Sequence, residues 1–411
     1  MATKTKDTVH VFGAASVMGL LSERPRVLAL GEPTHDDGSL LWARNDLFRE
    51  LVEEEGFRTV AVESDCLRGL LVDEYVTSGH GTLDEVMERG FSHGFGAYTA
   101  NRELVRWLRA HNEGRPVGER VRFAGFDGPL EISGAESPRQ SLSALYDYLA
   151  EQVEADLLPC SAGTLDRLLG ADGPWADPET MTDPGRSVGR TSEAGALRLV
   201  ADDLVALLDA QAPHLVAATS RAELERAELY GRTAVGLLRY HHWLADTSPA
   251  RVNRLLGVRD QMMAHNLLAL ADRGPVLVHA HNSHLQRERS SMRMWQGLME
   301  WWSAGALVAG RLGRGYAFLP TALGTLRHHG VEDPSRGSVE GELYALGAER
   351  CVVDAPGLAR VLGEGGAEPR VSPWFGYAAL DPAHLAGADG LVFVREVVPS
   401  VGAGGGEHSG A

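Results

Sequence analysis

The stretch VLALGEPTHDDGS, Val27 to Ser39, runs an apolar segment directly into Gly31, Glu32, Pro33, Thr34 and His35. A carboxylate three residues before an imidazole can do acid–base work. Histidine titrates near neutral pH, and a neighbouring carboxylate fixes its tautomer and stabilises its charged form. The plainer reading is a polar turn in which Asp36, Asp37 or Ser39 caps the following helix. Three more apolar runs favour the first reading, because each also ends in chemistry. Thr59–Val62 delivers Glu63, Val121–Phe126 delivers Asp127, and Pro275–Ala280 runs through His279 into His281, Asn282 and His284. Titratable groups gathered at such positions are the usual raw material of an active site.

These groups need elements to position them. Val27–Leu30 and Thr59–Val62 are short buried-strand runs. Between them Leu40, Leu41, Leu47, Phe48, Leu51 and Val52 recur at helical spacing, and Gly56 ends the helix. Strand, helix, strand at this length is a βαβ unit with parallel strands. Ligands of open parallel sheets bind beyond the carboxyl ends of the strands, where the polar residues fall. If the first two strands are neighbours, about 4.8 Å apart, Glu32 and Glu63 share one pocket and need a proton, an arginine or a metal between them. A second helix is read over about 101–112. Helical stripes then fill residues 136–270, interrupted by a Gly/Pro/Asp-rich loop at 172–190, and short strands return near 316–319, 350–353 and 391–394. The predicted fold is α/β, a mainly parallel central sheet flanked by helices with a helical insertion or cap. Residues 1–135 and 271–400 form the two parts of the core, 136–270 the cap, and 401–411 a disordered glycine-rich tail.

Other residues join the candidate site. Arg44, in LWARNDLF, could face the pocket and neutralise the two glutamates or donate to an oxyanion. His279 and His281 share one face of a strand, and a His-x-His pair at a strand end can bind zinc, although no further ligand motif completes a site. A metal-free polar site is therefore preferred. Gly90-Phe91-Ser92-His93-Gly94 matches the G-x-S-x-G nucleophile elbow, but LDEVMERG before it reads as a helix where the elbow requires a strand. Ser92 is discounted as a nucleophile, while His93 can still reach the site. For Arg259 and Asp260, on an amphipathic helix, a buried structural ion pair is the plainer alternative, and His241 and His242 read as lining of the cap.

Composition bounds the function. A formal charge of −17 over 411 residues argues against nucleic acid and anionic membranes as partners, leaving a small-molecule substrate. Three dispersed cysteines support neither a disulfide framework nor a thiolate zinc site. The first residues lack the apolar stretch of a signal peptide, so a cytoplasmic protein is expected. Oligomeric state is not legible.

Taken together, LGEPTH at 30–35, the helix with Arg44, EEGFRTVAVES at 54–64, AGFDG at 124–128, RDQMMAHN at 259–266 and HAHNSHLQR at 279–287 resemble the erythromycin esterase family in both content and order. The resemblance implies an α/β core with helical additions. It also implies hydrolysis of a lactone ester, as in macrolide ring opening, by water rather than a covalent serine. By this resemblance His35 is the catalytic histidine, Glu32 and Glu63 its carboxylates, Arg44 its arginine, and His281 and His284 the late histidines. His279, Asp127, His93 and Arg259 are expected beside the substrate. No cofactor is implied. Asp36 and Asp37 depart from the family, which often has glycine directly after this histidine; the added charges could alter substrate choice or bind a cation. Two alternatives stay open: acyl transfer or cyclisation in a natural-product pathway, and, third, binding of haem or another small molecule.

Overall fold

The computed structural model describes residues 5–399 except 37, 132–133, 295–296, 364–366, 373 and 375. The tail expected to be disordered and Asp37 lie outside the described residues. The chain opens with β1 (Val9–Val11) and α1 (Ala14–Leu20), then β2 (Val27–Glu32), α2 (Ser39–Glu55), β3 (Thr59–Asp65), α3 (Gly69–Ser78), α4 (Leu83–Arg89), α5 (Thr99–Asn112) and β4 (Arg122–Asp127). A two-residue ribbon, β5 (Leu130–Glu131) and β6 (Gly134–Ala135), leads into five helices: α6 (Arg139–Gln152), α7 (Ala162–Leu169), α8 (Ser192–Ala218), α9 (Arg221–Leu244) and α10 (Arg251–Ala271). The chain returns through β7 (Val276–His281), α11 (Asn282–Leu285), the hairpin β8 (Arg289–Met294) and β9 (Gly297–Trp302), α12 (Ala304–Leu312), β10 (Tyr316–Leu319) and β11 (Thr321–Thr325). It finishes with α13 (Val339–Tyr344), β12 (Arg350–Val353), α14 (Ala355–Leu362) and β13 (Leu391–Glu396). Among the described residues no helix is long and apolar enough to cross a membrane.

The central sheet is parallel throughout, in the order β10-β2-β7-β3-β4. The sequence left adjacency of β2 and β3 open; they are not neighbours, because β7 pairs with both. Pro320 then carries the chain from β10 into a second, mixed sheet ordered β1-β12-β13-β11.

Strand alternation explains the burial. Leu28, Leu30, Val60, Val62 and Leu277 pack on one face against Leu47, Phe48 and Leu51 of α2 and Leu104 and Leu108 of α5. Val27, Ala29, Ala61, Val276 and Val278 face the other way, onto Met263, Ala264 and Leu267 of α10 and Val308 of α12. The near-continuous apolar runs in sequence therefore mark strands covered on both sides. Leucines of α6, α7, α8 and α9 form a separate core around Leu145, Leu197 and Leu204. Helix α10 belongs to the sheet's packing as well as to the helical part, which matters for the site it serves.

Candidate active site

All four apolar runs end at the same edge of the central sheet, and the strands extend far enough to carry the polar residues themselves. Glu32 closes β2, Glu63 lies in β3, Asp127 closes β4, and His279 and His281 lie in β7. By alternation, Glu32, His279 and His281 continue the α2 face, whereas Glu63 continues the α10 face. The close approach at the edge depends on Gly31. A Cβ there would stand 2.1 Å from Asn282 Oδ1. Asn282 uses that oxygen to accept from Thr321 N at 3.2 Å, and its Nδ2 donates to Thr321 O at 3.0 Å.

His35 is oriented by Glu32, whose Oε1 lies 2.8 Å from Nδ1. An ionised carboxylate only accepts, so Nδ1 carries the proton and Nε2 of the neutral ring carries the lone pair. Glu32 is ionised: burial pushes its carboxyl up, but His279 and His35 outweigh this and bring it down to about 2. Its second oxygen meets His279 Nε2 at 3.0 Å, and His279 Nδ1 meets Leu30 O at 3.1 Å. Both nitrogens of His279 thus face acceptors, and it serves as the brace behind Glu32. The His35 side chain keeps 36% of its surface exposed, in contrast to Glu32 and Glu63. Burial lowers the His35 pKa, but the charges of Glu63 and Glu32 more than offset it and leave it above the ordinary histidine value. Nε2 lies 3.9 Å from Glu63 Oε2, too far for a direct hydrogen bond and suited to an intervening water.

His281 has the opposite polarity. Its Nδ1 accepts from Ser283 N at 3.2 Å, so in the neutral ring the proton sits on Nε2. Burial and the neighbouring His35 charge pull it down to about 4, so it is neutral at pH 7. The rings of His35 and His281 meet edge to face at 5.6 Å. One imidazole thus offers a lone pair and its neighbour an N–H donor. Phe95 covers His35 from the side, with ring centres 5.1 Å apart.

A charge network beneath holds Glu63. Arg259 Nη2 donates to Glu63 Oε1 at 3.1 Å and to Asp127 Oδ2 at 2.7 Å, and His281 N donates to Glu63 Oε2 at 2.9 Å. Burial raises the Glu63 carboxyl, but His284, His35 and Arg259 together hold it well below the usual range. His284 Nε2 lies 3.4 Å from Glu63 Oε1, and its Nδ1 is 3.0 Å from Asp260 Oδ1. Asp260 also accepts from Ala304 N at 2.8 Å. His93 Nε2 reaches Asp127 Oδ2 at 3.2 Å while Glu131 grips Nδ1 at 2.7 Å. Burial opposes the His93 charge, yet these two carboxylates raise its pKa to about 9. Among the described non-glycine residues His93 alone has a positive φ, 56°, a conformation costing about 1 kcal/mol or more.

Several sequence readings change here. Arg259 places its guanidinium on Glu63. Arg44 is buried under the site with Nη2 2.8 Å from both Asn45 Oδ1 and Asn101 Oδ1. It borders a small cavity with Glu32, Glu63 and His279. Arg259 and Asp260 do not pair with each other, because consecutive helical residues diverge; they serve Asp127 and His284 respectively. Asp36 and Ser39 do not cap α2: Gly38 is its N-cap with no side-chain hydrogen bond. Ser92 is buried, its Oγ accepting from Asp65 N at 2.8 Å, and a helix precedes it. Sequence reasoning gave no role to Glu131, Asn101 or Ser283, which orient His93, Arg44 and His281 respectively.

The erythromycin esterase family profile matches residues 52–397, a span that takes in Glu63, Asp127, Arg259, His281 and His284 but begins after Glu32, His35 and Arg44. An erythromycin esterase type II of Escherichia coli is 32% identical over 104 residues, which are 25% of this chain and only 24% of that protein. Three solved structures share the fold. A Bacillus cereus protein superposes with a TM-score of 0.72 at 17% identity over 97% of both chains. A succinoglycan biosynthesis protein gives 0.68 at 15%, also over 97% of both. The erythromycin esterase EreC gives 0.66 at 17%, over 94% of this chain and 95% of its own. With the profile spanning most of the sequence and the fold shared from end to end, the chain belongs to the erythromycin esterase family.

Proposed function

We propose that this protein hydrolyses a carboxylic ester or lactone, with His35 as general base on water. The observation that carries the reading is the opposed polarity of the two imidazoles. His35 Nδ1 is tied to Glu32 at 2.8 Å, leaving Nε2 as a lone pair. His281 Nδ1 accepts a backbone N–H, leaving Nε2–H as a donor. Water held between His35 Nε2 and Glu63 loses a proton to the imidazole as it attacks the carbonyl. His281 Nε2–H then stabilises the oxyanion, a role worth about 3 kcal/mol in other enzymes. His35 returns its proton to the leaving alcohol. The net charge of −17 disfavours anionic substrates, so a neutral or cationic natural-product ester, such as a macrolide lactone, fits best. Haem ligation is the weaker reading, because both nitrogens of His279 and of His284 already face polar partners.

The test is mass spectrometry of macrolides and simple lactones incubated with the protein and with His35→Ala. A product heavier by one water, lost in the variant, supports the hydrolase. A product of unchanged mass would favour cyclisation, and an acyl adduct of an added alcohol would favour transfer.

A further inference from the structure

Asp36, the residue directly after His35, points away from the catalytic network to two histidines distant in sequence. Its Oδ2 is 2.8 Å from His328 Nε2 and 3.8 Å from His329 Nε2. Asp36 is 8% exposed, and its Oδ1 is buried with no hydrogen-bond partner among the described residues. His329 is held in place by stacking on Trp374, with ring centres 4.0 Å apart and planes 2° from parallel. One donor atom from each of Asp36, His328 and His329 lies within 4.8 Å of the other two. Among the described residues this is the one such cluster, and the His279–His281 pair is not part of it.

We propose that Asp36, His328 and His329 form a binding site for a divalent transition cation of the zinc type. Zinc takes nitrogen ligands at about 2.0–2.1 Å and carboxylate oxygen at similar range, so tetrahedral ligands stand about 3.3 Å apart. The two separations, 2.8 and 3.8 Å, bracket that value, and closing the difference needs only small side-chain rotations. Two imidazoles with one carboxylate select zinc, cobalt or nickel over magnesium or calcium, which prefer oxygen. The remaining coordination position stays open to water, because both imidazoles are partly exposed. The ion replaces the proton shared by Asp36 and His328 and clamps the His35 loop to the turn at Arg327–His329. The site is independent of the hydrolase reading, since its occupancy is read without turnover.

The experiment uses the full chain, stripped by chelator and dialysed, then titrated with Zn2+ by calorimetry and with Co2+ by visible absorption. Metal is counted by mass spectrometry. One ion per chain is expected, with a tetrahedral Co2+ spectrum. His328→Ala removes one ligand. His329→Phe removes the other while keeping the ring on Trp374. Loss of an outer-sphere partner alone costs about 10–100-fold in affinity, so each variant should lose about 100-fold or more with unchanged circular dichroism. Wild-type affinity in both variants, or no stoichiometric binding by the parent protein, overturns the proposal. So does binding that is abolished by His281→Ala but not by His329→Phe.

Discussion

At the scale of single residues, the site separates three tasks among groups that look alike in sequence. In the proposed reaction Glu32 orients, His35 takes the proton and His281 donates, a separation that rests on which ring nitrogen is already occupied. Positioned acid–base groups contribute about 10²–10⁴-fold. His35→Ala should therefore lower kcat by at least about 10³, and Glu32→Gln by less, because the amide can still hold the ring. His281→Ala should cost about 10²–10³ in kcat with little change in KM, and His281→Gln should recover part of it by restoring an N–H donor. Equal losses in both variants would remove His281 from the oxyanion role. The pH profile supplies an independent check. As the proposed base, His35 would act when deprotonated, and the anions of Glu63 and Glu32 hold its pKa above the ordinary value. The acidic limb of kcat/KM should accordingly lie above about 6.5. Glu63→Gln removes an anion that favours the imidazolium, so the limb should move to lower pH. An unmoved limb would mean that Glu63 does not set the base.

At the scale of elements, the geometry depends on how tightly β2 and α11 approach. A Cβ on Gly31 would overlap Asn282 Oδ1, and the neighbour includes backbone as well as side chain. Gly31→Ala should cost about 1–3 kcal/mol, the usual range for overpacking, and lower the melting temperature together with activity. Gly19→Ala is the control: nothing lies within 4 Å of its Cβ position, and alanine favours helix α1 by about 1 kcal/mol. If both variants behave alike, the close approach is not what Gly31 provides. The strand ends were readable because an apolar run before a carboxylate or imidazole is a local pattern. The strand order was not: β7 enters between β2 and β3 from the far side of the helical region, and no local signal reports that pairing. The partner of Arg259 was misread for a related reason. Adjacency to Asp260 suggested a pair, but neighbours on a helix point about 100° apart, and Arg259 faces β3 and β4 while Asp260 faces α11 and the start of α12. His328 and His329 carry no recognisable ligand spacing and meet Asp36 only once the second sheet is in place.

At the scale of the whole molecule, buried histidines tie stability to pH in opposite directions, and the helical part holds the clearest case. His241 on α9 is 1% exposed, its Nε2 donating to Glu136 O at 2.9 Å and its ring set edge-on to Trp175. Burial pulls its pKa down to about 4, well below the ordinary histidine value of about 6.5. The unfolded chain therefore binds a proton that the folded chain refuses between those values. The stability that His241 confers is complete above about 6.5 and is lost as pH falls towards 4, on the order of 3 kcal/mol in all. His281 acts in the same sense. His93 acts oppositely: its pKa is raised to about 9, so its contribution is present below about 6.5 and is lost as pH rises through 9. The fold is thus poised for neutral pH by groups in both the core and the helical part. Urea unfolding of the protein and of His241→Gln at pH 7.5 and 4.5 isolates one of them. Glutamine keeps a donor for Glu136 O but does not titrate. The variant should lose less stability on acidification than its parent, by on the order of 2–3 kcal/mol. Parallel losses would show that His241 takes up its proton without disturbing the helices around it, and would turn attention to the sheet edge, where His281 lies beside His35 and Glu63.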